Sequence, residues 1–306
     1  MRLAMIGLGK MGGNMVRRLR RADIEVVGYA PDAEARKSLA AETGMIAAPT
    51  ISGALKKLTD PKIVWVMVPS GKQTEKVIKE LERRLSAGDI VIDGGNSNYH
   101  DSQRHYAILA QSGIGFIDAG TSGGVWGLEN GYCIMLGGER RHVETIRPII
   151  EALAPAPDRG WGHVGPPGAG HFTKMIHNGI EYGMMQAMAE GFALLHDKEG
   201  MPLDLAQIAE LWRHGSVISS WLLDLTAGAL QQDQTLHDVA PYVADSGEGR
   251  WTVLESVERG IAAPVISLAL QMRFSSQDQE GYTNRVLAMM RNAFGGHDVK
   301  PAGEDA

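Results

Sequence analysis

Cysteine is nearly absent. Cys133 stands alone among 306 residues, which excludes an intrachain disulfide and fits a reducing compartment. It lies in the apolar run YCIML, where an inert buried thiol is expected rather than a nucleophile. Long apolar runs are missing as well. The stretch IAAPVISLAL at 261–270 is too short to span a bilayer and contains a proline. The opening MRLAMIGLGKMG is too short and too interrupted by glycine for a secretory leader. A cytoplasmic chain without a membrane partner is therefore expected. Nor is there an excess of basic charge: 30 Lys and Arg against 36 Asp and Glu leave a formal net charge of −6. That balance argues against a nucleic-acid partner, while leaving room for a local basic pocket that holds a small anion.

What is present is enough apolar material for two domains: 44% of the residues are hydrophobic. Short β-rich runs at Leu3–Ile6, Glu25–Tyr29, Lys62–Val68, Asp89–Ile92, Gly115–Asp118 and Tyr132–Leu136 alternate with segments of helical spacing. Those include Met11–Arg21, Gln73–Leu85, Ser97–Ser112 and Arg141–Leu153. Such alternation predicts parallel βαβ units, a doubly wound α/β sheet with helices on both faces. Beyond Pro155 and the link GPPGAG the strand signal stops and helical spacing takes over. The expected division is a dinucleotide-binding Rossmann-like domain at 1–166, an all-helical domain at 167–285 and a C-terminal tail at 286–306, extended over 291–306.

Gly7-Leu8-Gly9-Lys10-Met11-Gly12 follows the first strand and opens a helix. In that context G-x-G-x-x-G has a physical meaning. The first glycine makes the tight turn, the second admits a pyrophosphate to backbone amides, and the third lets helix and strand pack closely. At the end of the second strand stand Ala30, Pro31 and Asp32, with no arginine before Arg36. Asp32 is suited either to a ribose hydroxyl or to capping the next helix. The missing early arginine favours NAD, with NADP as the second option. Ligands of a doubly wound sheet lie beyond the carboxyl ends of its strands. There the sequence places Val68-Pro69, the DGGNS run ending in Asn96 and Ser97, and the run Asp118 to Gly124 containing Ser122, Gly123 and Gly124. Each is either an ordinary turn or a set of contacts to cofactor and substrate.

The segment HFTKMIHNGIEYGMMQ, 171–186, poses a different question. Counting from Lys174, His177, Asn178, Glu181 and Tyr182 fall at i+3, i+4, i+7 and i+8, one face of a helix. Met175, Ile176, Gly179, Ile180, Gly183 and Met184 form the complementary face, expected to pack. A lysine and a glutamate two turns apart can act as base and acid on one substrate; a structural ion-pair stripe is the alternative. His177 and Glu181 have metal-ligand spacing, but no third ligand of suitable spacing stands near, so no metal is expected.

GAGHFTKMIHNGIEYGMMQ closely resembles the catalytic helix of 6-phosphogluconate dehydrogenases, GAGHFVKMVHNGIEYGDMQ. The likeness extends along nearly the whole chain. GLGKMGGNM is similar to the family's cofactor turn, DGGNS and TSGG to its substrate loops, and GEGRWT at 247–252 to GTGKWT. MRFSS at 272–276 resembles ARxLSS, and the segment Arg291 to His297 resembles RDYFGAH. The chain's length matches the compact branch of the family.

This resemblance implies that 6-phosphogluconate is oxidised at C3 and decarboxylated to ribulose 5-phosphate, with NAD, or alternatively NADP, as acceptor. Lys174 would be the base and Glu181 the acid. Asn96, Ser122, Gly123, Gly124, His177 and Asn178 would hold the carboxylate and hydroxyls. Tyr182, Arg250, Thr252, Arg273 and Arg291 would hold the phosphate. The tail, with Arg291 and His297, would reach a neighbouring subunit of a homodimer or homotetramer, making the helical domain also the dimerisation domain. Two departures stand out: Arg250 replaces a common lysine, and Ala30-Pro31 replaces the Asn-Arg pair of NADP-dependent members. A β-hydroxyacid dehydrogenase of the 3-hydroxyisobutyrate type shares the glycine turn and catalytic lysine, but needs neither Glu181 nor the cation cluster. A silent NAD-binding protein would need neither Lys174 nor Glu181.

Overall fold

The computed structural model describes residues 1–301. The first half runs β1 (Arg2–Ile6), α1 (Lys10–Arg21), β2 (Glu25–Tyr29), α2 (Ala33–Thr43), β3 (Ile46–Ala47) and α3 (Ile51–Leu55). It continues with β4 (Ile63–Val66), α4 (Lys72–Glu82), β5 (Ile90–Asp93), α5 (Tyr99–Gln111) and β6 (Gly115–Ser122). A 3₁₀ turn (Gly124–Trp126) leads into α6 (Gly127–Asn130), β7 (Cys133–Gly138), α7 (Arg140–Leu153) and β8 (Trp161–Gly165). The helix α8 (Ala169–His196) follows, and then α9 (Leu205–Arg213), α10 (Trp221–Gln232), α11 (Glu248–Glu258), α12 (Pro264–Gln277) and α13 (Tyr282–Gly295). The α/β-then-helical order expected from the sequence is thus the observed one.

The eight strands lie in the order β3-β2-β1-β4-β5-β6-β7-β8. The order reverses between β1 and β4, so the ligand crevice of a doubly wound sheet opens there. β1, β4 and β5 are buried on both faces, which is why they read as unbroken apolar runs. Successive side chains nevertheless alternate between two cores. Leu3, Met5 and Trp65 join Met15, Leu19, Val143 and Ile150 on the α1/α7 side. Ala4, Ile6, Val64 and Val66 join Ile51, Ile78, Leu81 and Leu109 on the other. Full burial of a leucine such as Leu19 stabilises the sheet–helix contact by about 2 kcal/mol.

Several expectations are corrected. β7 pairs antiparallel with β6, so the sheet is not wholly parallel. β6 does not end at Asp118 but runs to Ser122, because Cys133 to Gly138 give it an antiparallel partner along that length. Cys133 is exposed, not buried, since it is the first residue of β7 and lies at the end of its ladder. The chain is not extended from residue 291, because α13 carries the helix on to Gly295 and ends at Gly296 in the left-handed region, φ 64°. Such a glycine closes a helix without steric cost.

The chain forms two compact units, Met1–Gly179 and a second beginning at Ile180, so α8 passes from one into the other. Within the second unit, Leu205, Ala209, Ala227 and Leu230 make one small core, and Tyr182, Ala269 and Leu270 another. No residue of α13 is buried, and it carries exposed Tyr282, Leu287, Met290 and Phe294. No helix among the described residues is long and apolar enough to cross a membrane.

Candidate active site

The glycine turn after β1 has the geometry its sequence requires. Gly7 adopts φ 104°, and a Cβ there would stand 2.2 Å from the Met67 carbonyl oxygen. A Cβ on Gly12 would stand 2.1 Å from the carbonyl oxygen of Gly7, so helix and turn meet at the contact distance only glycine allows. Gly9 differs: a Cβ there would meet nothing within 4 Å. It is exposed at the start of α1, whose first turn has no side-chain cap. The first amides of α1, with Leu8, Lys10 and Met11 around them, therefore face open space, which suits a pyrophosphate. The residues fit a dinucleotide.

At the end of β2, Asp32 accepts hydrogen bonds from the amides of Glu34 (2.9 Å) and Ala35 (3.1 Å) and so caps α2. Of its two readings, capping is the one with observed partners. The Arg36 guanidinium turns back to the carbonyl oxygens of Ala30 and Pro31. The loop after β4 brings Val68 and Pro69 beside the turn. Val68 Cγ1 would lie 3.1 Å from a Cβ on Gly7, and the Val68 carbonyl oxygen 2.6 Å from one on Gly95. The buried Thr74 hydroxyl anchors this loop by donating to the Pro69 oxygen at 3.0 Å.

The loop after β5 is built on Asp93. This buried carboxylate accepts from the Gly95 amide at 3.0 Å and the Ser97 hydroxyl at 2.8 Å. Asn96, at φ 50°, clasps β6: its amide donates to the Thr121 oxygen at 3.0 Å and its oxygen accepts from the Thr121 amide at 2.9 Å. One amide hydrogen and one lone pair remain for a ligand. Ser122, Gly123 (φ 126°) and Gly124 (φ 51°) follow, and Gly124 is exposed with open space beside it.

α8 starts under this loop because three glycines let backbones touch. A Cβ on Gly170 would lie 2.4 Å from the carbonyl oxygens of Asp118 and Met135, and one on Gly137 2.6 Å from the Gly170 nitrogen. A Cβ on Gly120 would be 2.5 Å from Lys174 Cβ. Asp118, buried on β6, accepts from the amides of Gly168 (2.7 Å) and His171 (2.8 Å) and caps α8 from another element. Its negative charge at a helix N-terminus is favourable. Nothing local in the sequence signals this cap, since donor and acceptor lie 50 residues apart.

Lys174 is only 5% exposed, and its ammonium donates to Asn178 Oδ1. The same oxygen lies 3.0 Å from His177 Nδ1. Cys133, the ladder partner of Ser122, feels Lys174 too. Desolvation of the sulfur raises its thiol above the ordinary range, and the Lys174 charge partly opposes that shift. The base candidate packs against Gly120, two residues before Ser122 on the same strand. Burial along α8 is not that of a helix with its apolar side inward: Ile180 and Met184 are 53% and 41% exposed, whereas Lys174 and Tyr182 are buried. The expectation that the apolar face packs holds for Met175, Gly179 and Gly183 only; Ile176 is half-buried and Glu181 intermediate.

The second unit assembles a cationic cluster. Tyr182 has its hydroxyl 3.0 Å from Ser246 Oγ, and the Ser246 amide donates to it at 3.2 Å. Gly249 lies against its ring. The Arg273 guanidinium stacks 3.6 Å from the Tyr182 ring centroid and donates to the Ala244 oxygen at 2.9 Å. Arg250 lies 4.7 Å from the Phe274 ring centroid and pairs with Asp245 at 2.8 Å. Asp245 stays below the usual carboxylate range: burial opposes this, but the Gly247 amide and the Arg250 guanidinium outweigh it. Tyr182, Arg250 and Arg273 thus come together as the sequence suggests, around an Asp245 and Ser246 that it did not single out. Asp245 two residues before Gly247 is an Asx-turn signal that could have been read. Thr252 is buried, with its hydroxyl on the Glu248 carbonyl oxygen. Arg291 and His297 are exposed on and after α13; Asn292 donates to the His297 oxygen, and the His297 ring packs edge-on to Phe294.

Comparison with known proteins gives a consistent answer. Residues 2–164 match the NAD binding domain of 6-phosphogluconate dehydrogenase, and residues 170–301 match the 6-phosphogluconate dehydrogenase C-terminal domain. A putative 6-phosphogluconate dehydrogenase of Bacillus subtilis is 40% identical, over 97% of this chain and 98% of its own. An NAD(+)-dependent, decarboxylating 6-phosphogluconate dehydrogenase of Haloferax volcanii is 39% identical over 98% of each chain. Among solved structures, that of Plasmodium falciparum 6-phosphogluconate dehydrogenase, determined apo, with NADP+ and with 6-phosphogluconate, superposes with a TM-score of 0.83. It is 26% identical and covers 100% of this chain and 67% of that one.

Proposed function

The chain belongs to the 6-phosphogluconate dehydrogenase family, and from that premise we propose that it oxidatively decarboxylates 6-phosphogluconate to ribulose 5-phosphate and CO2, with NAD as acceptor. The observation that carries the reading is the buried Lys174 brought against β6 beside the Ser122–Gly124 turn. When bound, the dinucleotide supplies the nicotinamide ring that takes up hydride from C3. Lys174 accepts the C3 hydroxyl proton and, once protonated, hydrogen-bonds the new carbonyl oxygen. As the C1–C2 bond breaks and CO2 leaves, its electron pair passes into the C2–C3 double bond and Lys174 gives its proton back to the C3 oxygen, leaving an enediol and a neutral lysine. Glu181, two helical turns along the same face, then delivers a proton to the former C2, now C1 of the product, while neutral Lys174 takes the enediol hydroxyl proton and restores the ketone. Asn178 and His177 orient Lys174 and share the substrate hydroxyls with Asn96. Ser122, Gly123 and Gly124 hold the carboxylate.

NAD is read as the preferred acceptor because Ala30 and Pro31 offer a 2′-phosphate no cation and the Arg36 guanidinium is taken up by their carbonyl oxygens. Tyr182, Arg250, Arg273 and Thr252 hold the 6-phosphate. Arg291 and His297 complete the site from the tail of a second subunit in a homodimer or homotetramer. Supporting this, α13 has no buried residue and exposes a row of apolar side chains that a partner would cover.

The phosphate assignment is tested by comparing 6-phosphogluconate with unphosphorylated gluconate in an NADH absorbance assay. Arg273→Ala is expected to raise KM for 6-phosphogluconate by about 100-fold, the loss of a charged hydrogen-bonding pair. The already poor use of gluconate should not change. Equal losses on both substrates would remove Arg273 from the phosphate site.

A further inference from the structure

We infer that one face of α1 positions the Ser122–Gly124 turn, with Arg18 as the principal positioning residue and Asn14 as its auxiliary. The inference rests on the reading of that turn as the substrate carboxylate site. Asn14, Arg17, Arg18 and Arg21 fall at i, i+3, i+4 and i+7 and so form one stripe along the helix. The core-facing stripe is the separate set Met15, Val16 and Leu19.

The polar stripe meets the segment that follows the turn. Asn14 Nδ2 donates to the Val125 carbonyl oxygen at 3.4 Å, its amide oriented by Arg17, which donates to Asn14 Oδ1 at 3.1 Å. Arg18 reaches further. Its Nη1 donates to the carbonyl oxygens of Leu128 (3.3 Å) and Glu129 (3.4 Å). Its Nε and Nη2 donate to those of Leu153 (3.1 Å) and Ala154 (2.5 Å). Leu128 and Glu129 belong to α6, and Leu153 and Ala154 close α7. One guanidinium therefore satisfies carbonyls at two helix C-termini, where orphan acceptors and the negative end of the dipole both favour a cation.

Arg21 adds an exposed ion pair to Glu129 at 3.3 Å, and the segment's own side chains contribute little more. Val125 and Trp126 are 48% and 52% exposed, so their side chains do not anchor it in a core. Beneath, Gly127 lies so close to Tyr132 that a Cβ would be 1.9 Å from the ring, and one on Gly123 would be 3.4 Å from it. Tyr132 offers no hydrogen bond, because its buried hydroxyl has no partner. The turn therefore rests on an apolar floor; Asn96 and the Ser122–Cys133 pair hold the strand before it, and the side-chain grip on the segment after it comes from α1. α1 also begins at the dinucleotide turn, Gly7–Gly12. A single helix thus links the turn suited to the dinucleotide pyrophosphate with the segment that follows the sugar-acid carboxylate turn.

The test uses the intact enzyme with Arg18→Met and Asn14→Ala. Arg18→Met is expected to raise KM for 6-phosphogluconate by about 10-fold, as misplacement of a binding turn does. NAD affinity, measured by quenching of protein fluorescence, should stay unchanged. Arg18→Lys, which keeps a cationic donor, should recover part of the loss. Amide hydrogen exchange should quicken at 123–130 in Arg18→Met but not at 7–13. If Arg18→Met does not fold, Asn14→Ala, which removes a single bond, should still raise KM by about 3-fold and quicken exchange over 123–127. Unchanged exchange at 123–130, or a loss of NAD affinity equal to the loss of substrate affinity, would overturn the positioning role. Exchange is read without turnover, so a wild-type enzyme inactive on 6-phosphogluconate would sink the functional reading and leave this test standing.

Discussion

Lys174→Met should lower kcat by about 10³-fold or more while leaving the dissociation constant for NAD unchanged. The side chain is 5% exposed and makes its ammonium contact within α8, to Asn178. Methionine matches the length and volume of the lysine stem, so the packing against Gly120 survives and the fold should hold. What disappears is the group proposed to take the C3 hydroxyl proton and later to polarise the C3 carbonyl. Both the oxidation and the C–C cleavage lose their acid/base partner, so neither NADH nor CO2 should form at a useful rate. The dinucleotide turn at Gly7–Gly12 lies on β1 and α1, away from this change, and equilibrium NAD titration checks that it is intact. A variant retaining a tenth of wild-type kcat would show that another group is the base.

Gly120→Ala is expected to have the second largest effect, and it reaches the chemistry through backbone packing alone. An alanine Cβ would have to occupy a point 2.5 Å from Lys174 Cβ and 2.6 Å from the Gly170 carbonyl oxygen. Neither neighbour is the far end of a flexible side chain, so the strand or the helix must move. Overpacking of this kind costs about 1–3 kcal/mol of stability. The larger consequence is catalytic. Displacement of a catalytic group by about 1 Å can lower turnover by roughly 100-fold, and here the displaced group is Lys174, the proposed base. Thermal unfolding and kcat, measured on the same preparation, should fall together, with NAD affinity retained. Normal kcat in a destabilised protein would show that the Gly120 contact carries packing but not the placement of Lys174.

Much of this architecture is legible in the sequence where a local rule governs it. β1, the glycine turn and α1 follow from an apolar run, three glycines and a helical stripe, and each has the geometry those residues demand. The polar stripe of α8 is equally visible, because helical spacing alone puts Lys174, His177, Asn178, Glu181 and Tyr182 on one face.

Where a distant partner decides, the sequence is silent. β3 has two residues, and β8 reads WGHVG, too short in one case and too glycine-rich and polar in the other to show alternation. The antiparallel run of β7 depends on α6 and its turn reversing the chain, not on any residue within the strand. Asp118 caps a helix fifty positions away, and Arg18 caps two more. Ile180 and Met184 lie in the open although their spacing looks like core; an apolar face can be reserved for a partner as well as for the chain's own interior. The expected tail is helical as far as Gly295, because α13 carries on until Gly296 closes it.

The central claim is that one bound sugar acid is both oxidised and decarboxylated by groups on one helical face. Incubating the enzyme with NAD and 6-phosphogluconate carrying ¹³C at C1, and following carbon NMR alongside NADH absorbance, addresses it directly. Labelled CO2, unlabelled ribulose 5-phosphate and NADH should appear in equal amounts. NADH formed with the label retained in an acid product would mark a β-hydroxyacid dehydrogenase and contradict the assignment of Glu181 and of the reaction itself.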